Sequence, residues 1–122
     1  MNEGLARRIV YARSGGLCEL RIPAARCTGH GAEWHHRKRR SQGGLWTPCN
    51  GLHSCPPCHR YVTDTNGHYD ECVAAGWIVL EHADPAAVPA LIHTITLGHG
   101  LILLDDEGMI AFAATDQEAA HA

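Results

Sequence analysis

Leu5, Ile9, Val10 and Ala12 recur among arginines at roughly helical spacing, which predicts an amphipathic helix over residues 5–14 closed by Gly15-Gly16. Two short blocks further on, Trp34 to Arg37 and Gly51 to Ser54, predict strands, in which the pleat turns neighbouring side chains to opposite faces. Between them lie a charged loop, Lys38 to Gln42, and a Gly43-Gly44 turn. A second helix is expected to open near Cys58, with His59 and Arg60 in its first turn. Later, His68 to Ala75 reads as a helix capped by Gly76, Trp77 to Leu80 as a strand, and Asp84 to Ala90 as a Pro-bounded turn or short helix. Leu101 to Leu104 and Met109 to Ala113 flank Asp105-Asp106-Glu107-Gly108, a hairpin signal. The final TDQEAAHA is expected to fray.

These elements make a small α+β protein, and 122 residues suffice for one modest core that a metal staple would strengthen. No apolar run approaches the ~20 residues of a membrane span, and no leader-like segment opens the chain, so a soluble, intracellular protein without membrane contact is expected. The net charge of −3 hides an asymmetry. All ten Lys and Arg lie between Arg7 and Arg60, opposed there by Glu3, Glu19 and Glu33 only. From Tyr61 onward there are ten acids and no Lys or Arg. The chain therefore divides into a basic core, 1–66, suited to a polyanion such as DNA, and an acidic extension, 67–122, packed on it. The acidic half is expected to dock a protein partner or to damp non-specific binding. Arg7, Arg8 and Arg13 on the open side of the first helix are secondary candidates for phosphate contact.

The stretch WHHRKRRSQGGLWTPCNGLHSCPPCHR, residues 34–60, concentrates the chemistry. Cysteine pairs near histidines in an intracellular chain are more often metal ligands than disulfides. Cys-Pro-Pro-Cys is a tight turn that aims Cys55 and Cys58 at one point, and Cys18 and Cys27, bracketing ELRIPAAR, offer the other half of a tetrahedral zinc site. Eight residues separate that first pair, wider than usual; His30 competes for a place, though four cysteines are preferred, and Cys18 and Cys27 can also be read as small buried hydrophobes. Cys49 and Cys72 lack partners at ligand spacing and are taken as buried.

Hydrolysing a phosphodiester needs an activated water, a sink for the charge of the phosphorane and help for the leaving oxygen. A histidine near its ordinary pKa of ~6.5 can be the base, and one hydrated divalent cation can supply the rest. Singly, His35 and His36 read as ordinary strand residues, His59 as a zinc ligand, and Asn50 as a turn former before Gly51. His53 projects from the second strand toward possible phosphate, whereas His68, His82, His93, His99 and His121 form no ligand-like group.

Together, His36, Asn50 and His59, with Asn50 five residues before Cys55 and Cys-x-x-Cys-His behind it, resemble the signature of the HNH endonuclease family over about residues 18–60. The looped cysteine pair, Trp-His-His-Arg, Gly-Gly and Gly-Trp-Ile-Val also resemble small HNH proteins of bacteriophages that infect actinobacteria. The resemblance implies a zinc-stapled, treble-clef-like ββα-metal core with an extra C-terminal helix and short strands. It implies nicking or cleavage of double-stranded DNA with low sequence specificity, in the host cytoplasm and beside a packaging terminase. In such enzymes His36 would be the general base, His35 and His59 would hold the catalytic ion, and Asn50 would brace the loop and orient His36. Cys18, Cys27, Cys55 and Cys58 would hold structural Zn²⁺. Many relatives carry Asp or Glu where His35 stands; a neutral ligand there favours Mn²⁺, Ni²⁺ or Zn²⁺ over Mg²⁺. Arg37, Lys38, Arg39, Arg40 and Arg60 would grip the DNA backbone, with Trp46 stacking at the groove. The rival readings are a non-catalytic zinc-containing DNA-binding module and a terminase-associated adaptor. A nicking assay with His36→Ala separates the first, and co-purification with terminase tests the second.

Overall fold

The computed structural model describes residues 1–114; the TDQEAAHA tail and His121 lie outside them. Helix α1 spans Glu3–Ser14. Asn2 caps it by accepting from the Leu5 amide at 2.8 Å, and Gly15 ends it in the left-handed region at φ 62°. Strands β1 (Glu33–His36) and β2 (Gly51–Ser54) pair antiparallel, with His35 opposite Leu52 and His36 opposite Gly51. Helix α2, Pro56–Thr63, begins two residues earlier than expected. Its cause is local: Cys55 is the cap, its sulfur accepting from the Cys58 amide at 3.4 Å, and the prolines that follow need no hydrogen-bond partner in a first turn. A short α3, Tyr69–Ala74, precedes a second antiparallel sheet, β3 (Ala90–Thr94), β4 (Gly98–Leu104) and β5 (Ile110–Phe112), in that order. No helix among the described residues is long and apolar enough to cross a membrane.

The architecture is mixed α and β, as the hydrophobic pattern predicts. The hairpin around residues 105–108 forms as β4–β5, while the β3–β4 pair was not among the expected elements. Trp77 to Leu80 is not a strand. Its apolar run is buried, Trp77 at 5%, Ile78 at 6% and Val79 at 1% exposure, but its backbone is already engaged. The Trp77 and Ile78 amides donate to the Cys72 carbonyl at the end of α3, and the Val79 amide donates to the Arg37 carbonyl. No row of groups remains for a ladder.

One hydrophobic core joins Cys18, Leu20 and Leu52 to Trp77, Ile92, Ile102 and Leu104, and so runs through both halves of the chain. Ala6, Val10 and Trp34 form a smaller cluster with Tyr11 and Trp46. The acidic half thus contributes Cys72, Trp77, Ile92, Ile102 and Leu104 to the core.

Two arginines expected at the surface are inside. Arg13 makes a two-pronged contact with the Glu19 carboxylate at 2.8 and 2.9 Å, both side chains being almost fully buried. It also donates to the carbonyls of Pro48 and Gly51, tying α1 to β2. Arg37 is fully buried. Its guanidinium donates to the carbonyls of Gly76 (2.8 Å), Cys49 (2.8 Å), Pro85 (3.0 Å) and Val88 (2.6 Å). Burial lowers its pKa to about 10, so it stays charged at neutral pH. Hydrogen bonds from a charged donor contribute ~1.5–3 kcal/mol each, and four of them here lock the 76–88 segment onto the hairpin. A phosphate cannot reach this cation, so Arg37 is removed from the DNA-contact set.

Candidate metal centre and histidine cleft

The ligand sulfurs of Cys18, Cys27, Cys55 and Cys58 lie within 4.8 Å of one another, and those of Cys27 and Cys55 are 3.8 Å apart. Four thiolates ~2.3 Å from a tetrahedral zinc stand roughly 3.8 Å from each other. The wide first pair is explained by a closed loop: Leu17 bridges His30, and the Cys18 amide donates to the Gly29 carbonyl at 3.1 Å, so the chain returns beside its own start. Arg26, at φ 63°, ends the short turn Pro23–Ala25 and brings Cys27 round. Every sulfur accepts one backbone N–H: Cys18 from Cys55 (3.3 Å), Cys27 from Gly29 (3.3 Å), Cys55 from Cys58 (3.4 Å) and Cys58 from Ile22 (3.4 Å). Four oriented dipoles on four sulfurs suit thiolates better than thiols. A hydrogen bond from the Cys58 thiol holds Cys18 down at about 4. His30 is exposed and outside the group, and His59 is not part of it either. Cys49 and Cys72 are buried singly, their thiols pushed up to about 11 by desolvation. All six cysteines are unpaired.

On the far side of the hairpin a cleft of about 470 Å³ is lined by His35, His36, His59, Arg39, Arg40 and Thr63, among others. His35, 5% exposed, makes a 2.7 Å hydrogen bond through Nε2 to the Trp77 carbonyl. A carbonyl only accepts, so Nε2 carries the proton and Nδ1 keeps its lone pair. Desolvation holds the imidazole neutral, its pKa lowered to about 3. His59, on α2, is fixed from the opposite side by a 2.9 Å bond between Nδ1 and the Glu33 carboxylate. That leaves Nε2 of His59 open. The two rings stand 5.5 Å apart between centroids; imidazoles sharing one ion through ~2.1 Å bonds have centroids roughly 5–6 Å apart. Among the described residues, the cysteines are the group of three or more donors close enough to share one ion, and these two imidazoles stand as a pair.

His36 points to the other face of β1, against Trp46 (4.4 Å between centroids) and Trp34 (5.8 Å). Among the described residues, its Nε2 and the Trp34 Nε1 are the buried side-chain polar atoms without a hydrogen-bond partner. Burial, then Arg40 and Arg7, hold the His36 pKa below its ordinary value, so the ring is neutral at pH 7. Arg7 and Arg40 both lie over the Trp46 ring, at 5.0 and 5.9 Å. Trp46 is thus packed among His36, Trp34 and two guanidiniums rather than offered as a bare stacking face.

Asn50, 1% exposed, clamps the loop between the strands. Its Oδ1 accepts from the Lys38 amide at 2.7 Å, and its Nδ2 donates to the carbonyls of Lys38 and Leu45 at 3.1 Å. It thus anchors the peptide two residues beyond His36 without touching that ring. Gly44 makes the return possible: a Cβ there would stand 1.8 Å from the Lys38 carbonyl oxygen. Arg39, Arg40 and Arg60 are exposed, whereas Lys38 is half-buried and donates to the Glu81 carbonyl. His53 does not reach outward: it is 5% exposed, stacked on Tyr11 and bonded to the Ser14 hydroxyl at 2.7 Å.

Sequence reasoning missed Glu33 and the Trp77 carbonyl. Glu33 lies two residues before His35, so strand periodicity places it on the same face; that signal was available. The Trp77 contact spans 42 residues and left no local trace.

Compared with profiles of known protein families, with curated proteins and with solved structures, the chain matches none. What stands is a small mixed helix-and-sheet protein with a four-cysteine cluster able to hold a metal such as zinc.

The buried His35 carries a pH dependence of its own. Its folded pKa, about 3, lies below the unfolded value, so its neutral form supports the fold fully above pH ~6.5 and progressively less as pH falls toward 3. Between pH 7 and pH 5 the loss is about 2 kcal/mol. In denaturant melts of the zinc-loaded protein at the two pH values, His35→Gln is expected to show a correspondingly flatter dependence; equal slopes would mean that His35 is not held neutral.

Proposed function

We propose that the protein is a metal-dependent endonuclease of the HNH type that hydrolyses DNA phosphodiester bonds with low sequence specificity, its four cysteines holding a structural zinc. The observation that carries this reading is that His35 and His59, each with one nitrogen tied to an acceptor, stand 5.5 Å apart between ring centroids in an arginine-lined cleft whose wall also takes in His36 from the other face of β1. His35 through Nδ1 and His59 through Nε2 would hold one divalent cation. When bound, such a cation neutralises charge on the phosphorane and steadies the leaving 3′ oxygen. His36 supplies the base: Nε2 is buried without a partner, so Nδ1 is the nitrogen left to take a proton from water. Arg39 and Arg40 hold backbone phosphates at the cleft wall, and exposed Arg8 and Arg60, with half-buried Arg7, extend that contact without reading sequence. The partner reading, a phage packaging terminase, and action in the host cytoplasm rest on the resemblance alone.

A plasmid-nicking assay across Mg²⁺, Mn²⁺, Ni²⁺ and Zn²⁺, with a chelator control, tests the activity. Cutting in at least one ion, abolished by chelator and weakened steeply by salt, is the expected result. Salt-dependent DNA binding with no cutting in any ion would leave a zinc-stapled binding module instead.

A further inference from the structure

Among the described residues, the walls of the histidine cleft carry no carboxylate: its titratable lining is three histidines and the arginines Arg37, Arg39 and Arg40. Two neutral imidazoles leave the charge of a divalent ion uncompensated, and the arginines oppose it. The carboxylate nearest to this pair of rings in bonded terms is Glu33, one layer behind, 2.9 Å from the far nitrogen of His59. Resting on the nuclease reading, we infer that Glu33 is a positioning residue for the catalytic cation: it holds His59 in the tautomer that turns Nε2 into the cleft, and it supplies the negative charge the ligands lack.

Glu33 opens β1 on the face that meets α2, so its carboxylate reaches the first helical turn beyond Cys58. Its side chain is 45% exposed and has the His59 ring as its hydrogen-bond partner. Its other ties run through the backbone, in the β1–β2 ladder opposite Ser54 and through the Ser54 hydroxyl, which donates to its carbonyl. A neutral imidazole left to itself favours the proton on Nε2, which would close the open position. A carboxylate accepting from Nδ1–H reverses that preference and makes Nε2 a stronger donor to a metal. His35 obtains the same service from the neutral Trp77 carbonyl, so the charge enters from the His59 side alone.

The test uses the full chain with its cysteine zinc in place. Two-bond ¹H–¹⁵N couplings report the His59 tautomer before any second ion is added, and a Co²⁺ titration followed by calorimetry and visible absorption reports the site. Wild type is expected to show His59 protonated at Nδ1 and one Co²⁺ beyond the structural zinc. Glu33→Ala is expected to lose the Nδ1–H form and to bind Co²⁺ about 10–100-fold more weakly, with an unchanged melting temperature. Glu33→Gln, whose amide oxygen still accepts, should keep the tautomer and recover part of the affinity, which separates hydrogen bonding from charge. Glu33→Ala with wild-type tautomer and affinity overturns the proposal while leaving the nuclease reading intact. A changed Co²⁺ band shape overturns it in favour of direct ligation by Glu33. A wild-type chain that takes up no second ion overturns the nuclease reading itself, and the metal-positioning role with it.

Discussion

His36→Ala is expected to slow plasmid nicking by about 10²–10⁴-fold, the range that a positioned general base contributes, with DNA affinity close to wild type. The reason lies in what His36 does not do. Its Nε2 has no hydrogen-bond partner to lose, and its ring meets Trp34 and Trp46 in edge-on contacts. Removing it leaves Arg39, Arg40 and the exposed part of Arg7 to bind phosphate as before. The sign of the pH dependence follows from the same surroundings. Because burial, Arg40 and Arg7 hold the His36 pKa below ~6.5, the neutral base persists into mildly acid solution, and cutting falls only when pH drops through the lowered value. Arg40→Ala should move that acid limb upward. Wild-type nicking by His36→Ala would remove His36 from the chemistry and, with it, the mechanism.

Cys58→Ser is expected to abolish cooperative folding of the hairpin and α2, as is zinc removal by a strong chelator. Cys58 is fully buried, and its sulfur receives the Ile22 amide at 3.4 Å, so it joins the first cysteine loop to the helix. Structural zinc in small sites is worth roughly 10–16 kcal/mol of binding free energy, comparable with or above the whole stability of a domain this size, ~5–15 kcal/mol. The fold cannot absorb that loss. Circular dichroism melts with and without chelator, together with a zinc stoichiometry of one per chain for the cysteine site, check it. A Cys58→Ser protein that melts at the wild-type temperature and carries no zinc would reduce the four cysteines to packing residues.

Much of the scaffold was readable in the chain. Helix α1, both strands of the first hairpin and the β4–β5 hairpin announced themselves through local signals: a capping glycine, alternation, a turn of acids and glycine. The cysteine set was readable too, because Cys-Pro-Pro-Cys is a local shape. The β3–β4 pair was not, since its turn, Ile95-Thr96-Leu97, lacks the Asn, Asp or Pro that marks most turns and is held instead by the Thr94 hydroxyl, which accepts from the Leu97 amide. Trp77 to Leu80 misled for the converse reason. Its apolar run described burial correctly, while the partners that took its backbone groups, Cys72 and Arg37, lay elsewhere.

Charge was the least readable property. Arg37 and Arg13 sit in runs that look solvated, yet one is caged by four carbonyls and the other faces Glu19 in the interior. The chain by itself determined which residue types were present, their local elements and the tight cysteine turn, because those depend on neighbours a few positions away. Only the tertiary structure decided which arginines meet solvent, which nitrogen of His35 and His59 stays open, and that Glu33 stands behind His59. Those outcomes depend on acceptors brought close from 6 to 51 residues away, and apart from the face Glu33 shares with His35, periodicity holds no record of them.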